Sequence, residues 1–132
     1  MIERVEYGGE VLALIIRQNY EPEGVNFVTA EDNPLQVGVL KHQKNSKIKP
    51  HLHKSSPRII NAIQEVLHIA YGKVEAEFYG GDGKKVGSSI LNSGDTIVLL
   101  SGGHGFNILE DSKILEVKQG PYRGVEEDKE RI

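Results

Sequence analysis

Residues 65–91 have the sequence EVLHIAYGKVEAEFYGGDGKKVGSSIL, and this stretch decides the fold class. Two runs rich in β-forming residues, 65–79 and 86–91, flank the turn sequence Gly80-Gly81-Asp82-Gly83. A Gly-Asp-Gly turn between two such runs is a good β-hairpin signal, because these residues accept the backbone conformations of tight turns. The stretch therefore predicts paired antiparallel strands.

The same organisation continues along all 132 residues of the chain. Turn residues separate further short runs with strand character, and helical periodicity is weak. The predicted strands cover residues 11–18, 25–29, 35–43, 48–53, 65–79, 86–91, 96–100, 105–109 and 113–118. Many short strands at nearly even spacing are typical of an all-β sandwich or barrel. No linker divides the sequence, so we expect one domain over residues 1–132, and the charged end at 125–132 predicts a short helix or a frayed terminus.

The composition limits the classes of partner and of site. Sixteen Lys and Arg against nineteen Asp and Glu give a net charge of −3, whereas nucleic-acid-binding domains usually carry a basic excess or stripe. The longest apolar run, 11–16, is too short for a signal peptide or a membrane span. We therefore expect a cytoplasmic protein without a nucleic-acid or membrane partner. Because the chain has no cysteine, any bound metal must be held by nitrogen and oxygen ligands.

Candidate metal ligands begin with the sequence PHLH at residues 50–53. Side chains two residues apart on a strand point to the same face, so His51 and His53 can direct two imidazoles at one ion. Taken alone, such a pair is more often two ordinary surface histidines than a pair of ligands. A carboxylate, Glu65, then opens a β-rich segment, and His104 lies in a glycine-rich stretch after a later strand. His68 is three residues after Glu65, on the opposite strand face, and is not expected to be a ligand.

These sequences resemble the two motifs of the cupin superfamily. The first cupin motif is His-X-His, a Glu, six residues and a Gly; the second is a glycine-rich strand end with a His and a nearby Asn. The matching residues are His51, His53, Glu65 and Gly72 for the first motif, and Gly94, Gly102, His104 and Asn107 for the second. The resemblance covers roughly residues 35–118, which leaves 119–132 as a C-terminal tail. It implies a jelly-roll-like antiparallel β-barrel with one divalent metal held inside by His51, His53, Glu65 and His104.

The chain departs from the family pattern in two places. Eleven residues separate His53 from Glu65, where cupins usually have three or four, and Leu100 stands where the second motif normally has a Pro. If the eleven residues form a loop, Glu65 reaches the site; otherwise water takes the fourth position. Three neutral imidazoles and one carboxylate suit Fe, Mn, Ni, Co, Cu or Zn, and the ligand types do not choose among them.

Three further residues are candidates for binding a substrate. Arg58, between the two parts of the first motif, is long enough to bind a carboxylate or phosphate, although a solvated loop arginine is the commoner role. On the predicted strand 113–118, Glu116 and Lys118 share one face. The ordinary arrangement puts such charges outside the sheet, and the alternative has them lining a pocket. The exit from this strand has the composition of a turn, and its Lys118 and Tyr122 join Arg58 as candidates.

The resemblance supports a metal site better than it supports any one reaction, since cupins include isomerases, epimerases, dioxygenases, decarboxylases, sugar-binding modules and sensors. The first hypothesis is a metal-dependent enzyme that acts on a small polar molecule such as a carbohydrate or sugar phosphate, in the manner of an isomerase or epimerase. The second is an Fe(II)-dependent dioxygenase. The third is a non-catalytic metal- or sugar-binding module. No acid–base residue is assigned.

The expected protein partner is a second copy of the chain. Residues 11–16, VLALII, are apolar at every position, so neither face of this strand is expected to meet water. Packing across a two-fold interface satisfies this, and the family resemblance also implies a homodimer. The alternative is that a sheet or loop of the same chain covers the strand.

Overall fold

The computed structural model describes residues 1–132, except for the side chain of Asp128. The described residues form strands and one short helix: β1 (Ile2–Tyr7), β2 (Glu10–Ile16), β3 (Gly24–Phe27), β4 (Gly38–Lys41), β5 (Glu65–Tyr71), β6 (Lys73–Tyr79), β7 (Lys85–Asn92), β8 (Thr96–Leu99), β9 (Gly103–Ile108), β10 (Lys113–Lys118) and α1 (Val125–Asp128). Every strand pairing is antiparallel. The predicted all-β antiparallel class is therefore confirmed. The described residues contain no helix long and apolar enough to span a membrane.

The chain divides into two compact units, and each is described by itself. The first unit contains residues 1–20 and 63–132, and the second contains residues 21–62. In the first unit, one sheet has the strand order β1-β2-β8-β5-β10 and another has the order β7-β6-β9; the second unit holds the β3–β4 pair. Over the described residues these sheets keep free edges and no closed barrel forms. β2 precedes the range 35–118 in which the barrel was expected, yet it lies inside the five-stranded sheet.

The two sheets of the first unit share one apolar core. Side chains alternate along each strand, and one face of each sheet carries the residues of this shared cluster. The cluster contains Leu12, Ala13, Ile15, Leu67, Ile69, Ile97 and Leu99 from the five-stranded sheet and Val74, Ala76, Phe78 and Leu91 from the three-stranded sheet. We call the face of each sheet that bears these residues its core face.

The apolar run in β2 is covered within a single chain. All five residues from 12 to 16 are buried, on both faces of the strand. The strand therefore does not by itself require a second copy of the chain, and the homodimer stays a prediction.

The structure has no strand at residues 48–53, so that prediction is wrong. These residues lie outside any strand or helix, and all of their side chains are exposed. Pro50 has no N–H with which to join a β-ladder. Ile48 and Leu52, the aliphatic residues of the segment, are 59% and 96% exposed and do not join the core. A strand of this length needs a hydrogen-bonded neighbour and a buried face, and the segment has neither.

The turn between β6 and β7 forms as predicted. The N–H of Gly83 donates to the carbonyl of Gly80 at 2.9 Å, and β6 pairs with β7 along its whole length. The predicted strand 65–79 is instead broken at Gly72, which has φ of 108° and separates β5 from β6. A Cβ at Gly72 would lie 2.1 Å from Oγ of Ser112. Only glycine accepts both the backbone angle and this close approach.

Candidate metal centre

Glu65 and His104 meet in the first unit. Glu65 is the first residue of β5 in the five-stranded sheet, and His104 is the second residue of β9 in the three-stranded sheet. Nε2 of His104 lies 3.1 Å from Oε2 of Glu65. The Glu65 side chain is 11% exposed and the His104 side chain is 33% exposed. The pair therefore joins the two sheets at a point that solvent reaches from the His104 side.

The strand register places both side chains on the core faces. Cross-strand neighbours share a face of a sheet, and Glu65 pairs with the buried Leu99 while His104 pairs with the buried Phe78. The next core-face residue along β5 is Leu67, which is also buried. The Glu65–His104 pair thus lies at the polar end of the apolar core.

The charge state of Glu65 follows from its neighbours. The hydrogen bond from His104 holds the pKa of the Glu65 carboxyl below its ordinary value, and it outweighs burial, which acts in the opposite direction. The positive charges of Lys118 and Lys129 lower the same pKa further. Glu65 is therefore an ionised carboxylate at neutral pH, the form that binds a metal ion.

The chemistry and spacing of this pair fit a divalent transition metal. Carboxylate oxygen and imidazole nitrogen are ordinary ligands, at about 2.0–2.2 Å from zinc. Two such ligands with an angle of about 90–110° at one ion lie roughly 3.0–3.4 Å apart. The two atoms here are 3.1 Å apart. A metal ion could replace the hydrogen-bonding proton between Glu65 and His104 with little movement of either side chain.

His51 and His53 lie in the second unit, and both are exposed. Nδ1 of His51 is 2.7 Å from the carbonyl oxygen of Lys49. Because a carbonyl only accepts, Nδ1 must carry the proton, and this leaves the lone pair of Nε2 free for an ion. Ligating histidines usually make such a second hydrogen bond. The two ring centres are 5.2 Å apart, and two imidazoles on one ion place their centres roughly 5 Å apart.

The four predicted ligands thus form two pairs, one in each unit. Among the side chains that the structure describes, no group of three or more His, Asp or Glu residues is gathered into a site for a metal ion. The four-ligand centre stays a prediction, and what the structure contributes is the Glu65–His104 contact.

Asn107, which matches the second motif, does not join the Glu65–His104 pair. Nδ2 of Asn107 donates to Oε1 of Glu75 at 3.0 Å and to Oε1 of Glu77 at 2.7 Å, on the face of the three-stranded sheet opposite His104. Asn107 therefore has a surface role in the single chain. Arg58, in the second unit, is exposed and contacts Ser56, to whose carbonyl its Nη1 donates at 3.0 Å.

The charges on β10 lie on the core side of the sheet and not on its outer face, which was the ordinary expectation, although the Glu116 side chain stays 45% exposed at the edge of the sheet. Lys118 pairs with Glu65 and Glu116 pairs with Leu67, which places both on the core face. The apolar residues between them face outward, with Leu115 62% and Val117 53% exposed. The register between β10 and β5 determines this orientation. It places Glu116 and Lys118 on the same face of the sheet as Glu65.

The C-terminal tail also reaches this region, which the sequence did not indicate. Lys129 is close enough to Glu65 to act on its charge, and Ile132 lies against Gly103, the residue before His104. The sequence predicted only that this charged segment forms a short helix or a frayed end. The short helix expected there is present as α1.

A second polar cluster, around Arg17, is structural. Its Nε and Nη2 donate to the carboxylate of Glu3 at 2.6 and 3.1 Å, and its Nη1 donates to Asp95 at 3.0 Å and to the carbonyl of Ile90 at 2.7 Å. Asp95 also accepts the backbone N–H groups of Gln18 and Asn92. Because these groups satisfy one another, the open depression that they line offers little to a ligand.

The turn before His104 gives a prediction about stability. Gly102 has φ of 71°, and a Cβ there would lie 2.4 Å from the carbonyl oxygen of Tyr79. We expect Gly102→Ala to lower the free energy of unfolding by about 2 kcal/mol or more, as measured by urea titration. Gly105→Ala is the matched control, since a Cβ at Gly105 meets no atom within 4 Å. Equal stabilities of the two variants would contradict the close approach.

The chain was also compared with known proteins. No family model, no curated protein and no solved structure matches it.

Proposed function

We propose that this chain is a cupin-type metal-binding protein, in which His51, His53, Glu65 and His104 hold one divalent transition metal. We further propose that it is an enzyme acting on a small polar molecule, with carbohydrates and sugar phosphates as the leading class, in the manner of an isomerase or epimerase. The observation that carries the proposal is the 3.1 Å contact between Glu65 and His104. Residues that match two different motifs meet across two sheets.

The finer fold belongs to the same proposal. Two antiparallel sheets that share one core, as in the first unit, are the elements of a jelly roll. In that fold the polar end of the core holds the metal. A bound ion would act as a Lewis acid on a carbonyl or hydroxyl oxygen.

The residues of the chain would hold and shield the reacting molecule. Burial of Glu65 keeps water from one side of the carboxylate, and the hydrogen bond from His104 fixes its orientation. Lys118 lies on the same sheet face and supplies a positive charge. These roles are binding and positioning, and the proposal names no proton-transferring residue.

The test is the metal content of the purified, untagged protein, measured by mass spectrometry. We expect about one transition metal per chain in the wild type and little in His51→Ala/His53→Ala, because loss of two of four ligands removes most of the binding free energy. Circular dichroism should show the same β content in both proteins.

His42→Ala/His68→Ala is the matched control, since it also removes two histidines and neither belongs to the predicted ligand set. It should keep its metal. Equal metal content in all three proteins, or none in the wild type even after reloading, would contradict the proposal. The metal found then directs the assays: iron calls for oxygen uptake with diols or thiols, and zinc, manganese or nickel calls for isomerase assays with sugar phosphates.

A further inference from the structure

The core face of β10 changes character along the strand. Ile114, opposite Ile69, packs against the apolar core, whereas Glu116 and Lys118 follow on the same face opposite Leu67 and Glu65. Charged side chains on a core face are costly unless water, a partner charge or a ligand meets them. Because the strand exposes two aliphatic side chains on its other face, the fold does not gain burial from this arrangement. Glu116 reaches water, since its side chain is 45% exposed, whereas Lys118 is 25% exposed and lies opposite Glu65, so the charge of Lys118 calls for a role in the site.

Lys118 has few partners in the chain. Its side chain is 25% exposed, and its Nζ lies 4.0 Å from Oε2 of Glu116, which is too far for a hydrogen bond. The ring centre of Tyr122 lies 5.3 Å from the same Nζ. An ammonium group offers three donors. Within the part of the chain that the structure describes, Lys118 makes no hydrogen bond to an acceptor that would occupy them, so they remain for a ligand.

The charges around Glu65 add up in favour of an anion. Glu65 and Glu116 contribute −2, and Lys118 and Lys129 contribute +2. With neutral histidines, a divalent ion leaves the site with a net charge of about +2. A neutral ligand would leave that charge unbalanced, whereas a carboxylate or phosphate neutralises part of it.

From this geometry we infer that the ligand of the centre carries a carboxylate or phosphate group, and that the ammonium of Lys118 binds this group directly. The inference rests on the proposed function, because it takes the metal ion at Glu65 as given. Tyr122, whose ring lies beside the ammonium and is exposed, forms the rim on that side. The assignment narrows the substrate class from small polar molecules to anionic ones.

The experiment is calorimetric titration of the zinc-loaded protein with glucose, glucuronate and glucose 6-phosphate. We expect the wild type to bind at least one of the two anionic sugars about tenfold or more tightly than glucose. Lys118→Met keeps much of the side-chain length without the charge and should lose that preference, whereas Lys118→Arg should keep most of it. Lys113→Met, at the exposed start of the same strand, is the matched control and should behave as the wild type.

The titrations test the role of Lys118, and the zinc content of the same samples tests the metal site. A preference for glucuronate identifies a carboxylate ligand and a preference for glucose 6-phosphate identifies a phosphate ligand, and both support the inference. Equal binding of glucose, no binding of any probe, or an unchanged preference in Lys118→Met overturns it. The zinc content is measured in the same samples. A protein that holds one zinc per chain but does not prefer the anionic sugars over glucose overturns only this inference. Absence of zinc from the wild type contradicts the proposed function and, because the inference takes the ion as given, overturns the inference as well.

Discussion

Replacing His104 by alanine is expected to weaken zinc binding more than about 100-fold, because loss of a mere outer-shell partner already costs about 10- to 100-fold. The imidazole is the partner of Glu65 in the structure, at 3.1 Å, and no other side chain replaces it in that contact. The affinity is measured by competition with a chromophoric chelator, and cobalt substitution reports the same change through the visible spectrum.

His68→Ala is the control for this measurement. His68 lies on β5 like Glu65, but on the opposite face, where its Nδ1 contacts Oγ1 of Thr96 at 2.9 Å. Its removal should leave the zinc affinity within about twofold, because a residue on that face is neither ligand nor outer-shell partner. Equal affinities of the two variants would show that His104 is not a ligand. Thermal unfolding of both apoproteins separates loss of the ligand from loss of the fold.

Replacing Arg17 by methionine is expected to cost about 3 kcal/mol of stability, because breaking a largely buried ion pair leaves a charge without its partner. The charge in question is Asp95, whose side chain is 6% exposed. Glu3 also loses its partner, but it is more exposed and contributes less. For a chain of this size the melting temperature should fall by roughly 10 °C, as measured by calorimetry.

Arg4→Met is the matched control. Arg4 pairs with Glu6 on the surface, with side chains 60% and 58% exposed, and its loss should change stability by less than about 0.5 kcal/mol.

The pH dependence of stability gives a second test of the Arg17 pairing. The hydrogen bond from Arg17 lowers the pKa of Glu3 below 4.5, so the stabilisation is present above pH 4.5 and is lost as the pH falls through the folded-state pKa. The difference between wild type and Arg17→Met should therefore narrow in acid, and a constant or growing difference would contradict the pairing.

The candidate site was predictable where it depends on local pattern. His-X-His spacing and a glutamate that opens a strand are visible in the sequence, and the resemblance to cupin motifs connected them with His104. The structure adds the contact between Glu65 and His104, which lie 39 positions apart in the sequence. No local pattern requires that contact, since it exists only because two sheets pack on one core.

On β10 the alternation of side chains predicted the two faces of the strand but not their orientation. Alternation divided its residues correctly between two faces, because side chains on a strand alternate whatever surrounds them. It did not say which face is the core face. Hydrophobicity favoured Leu115 and Val117 inside, and the register with β5 put Glu116 and Lys118 there instead. Which face of β10 lies toward the core depends on its pairing with β5, a strand that lies 40 or more residues away in the sequence.

Local patterns were enough to predict the all-β class and the hairpin between β6 and β7, because strand alternation and turn chemistry depend on neighbouring residues. The lack of cysteine restricts any metal ligands to nitrogen and oxygen. Segments with weak or mixed strand patterns became strands or loops according to their tertiary contacts. Residues 48–53 have aliphatic side chains but no partner strand, and they form none. β1 is mostly charged and polar, yet it pairs with β2 along its length. A strand is stabilised by hydrogen bonds to a neighbour and by burial against a core, and both are supplied by distant parts of the chain.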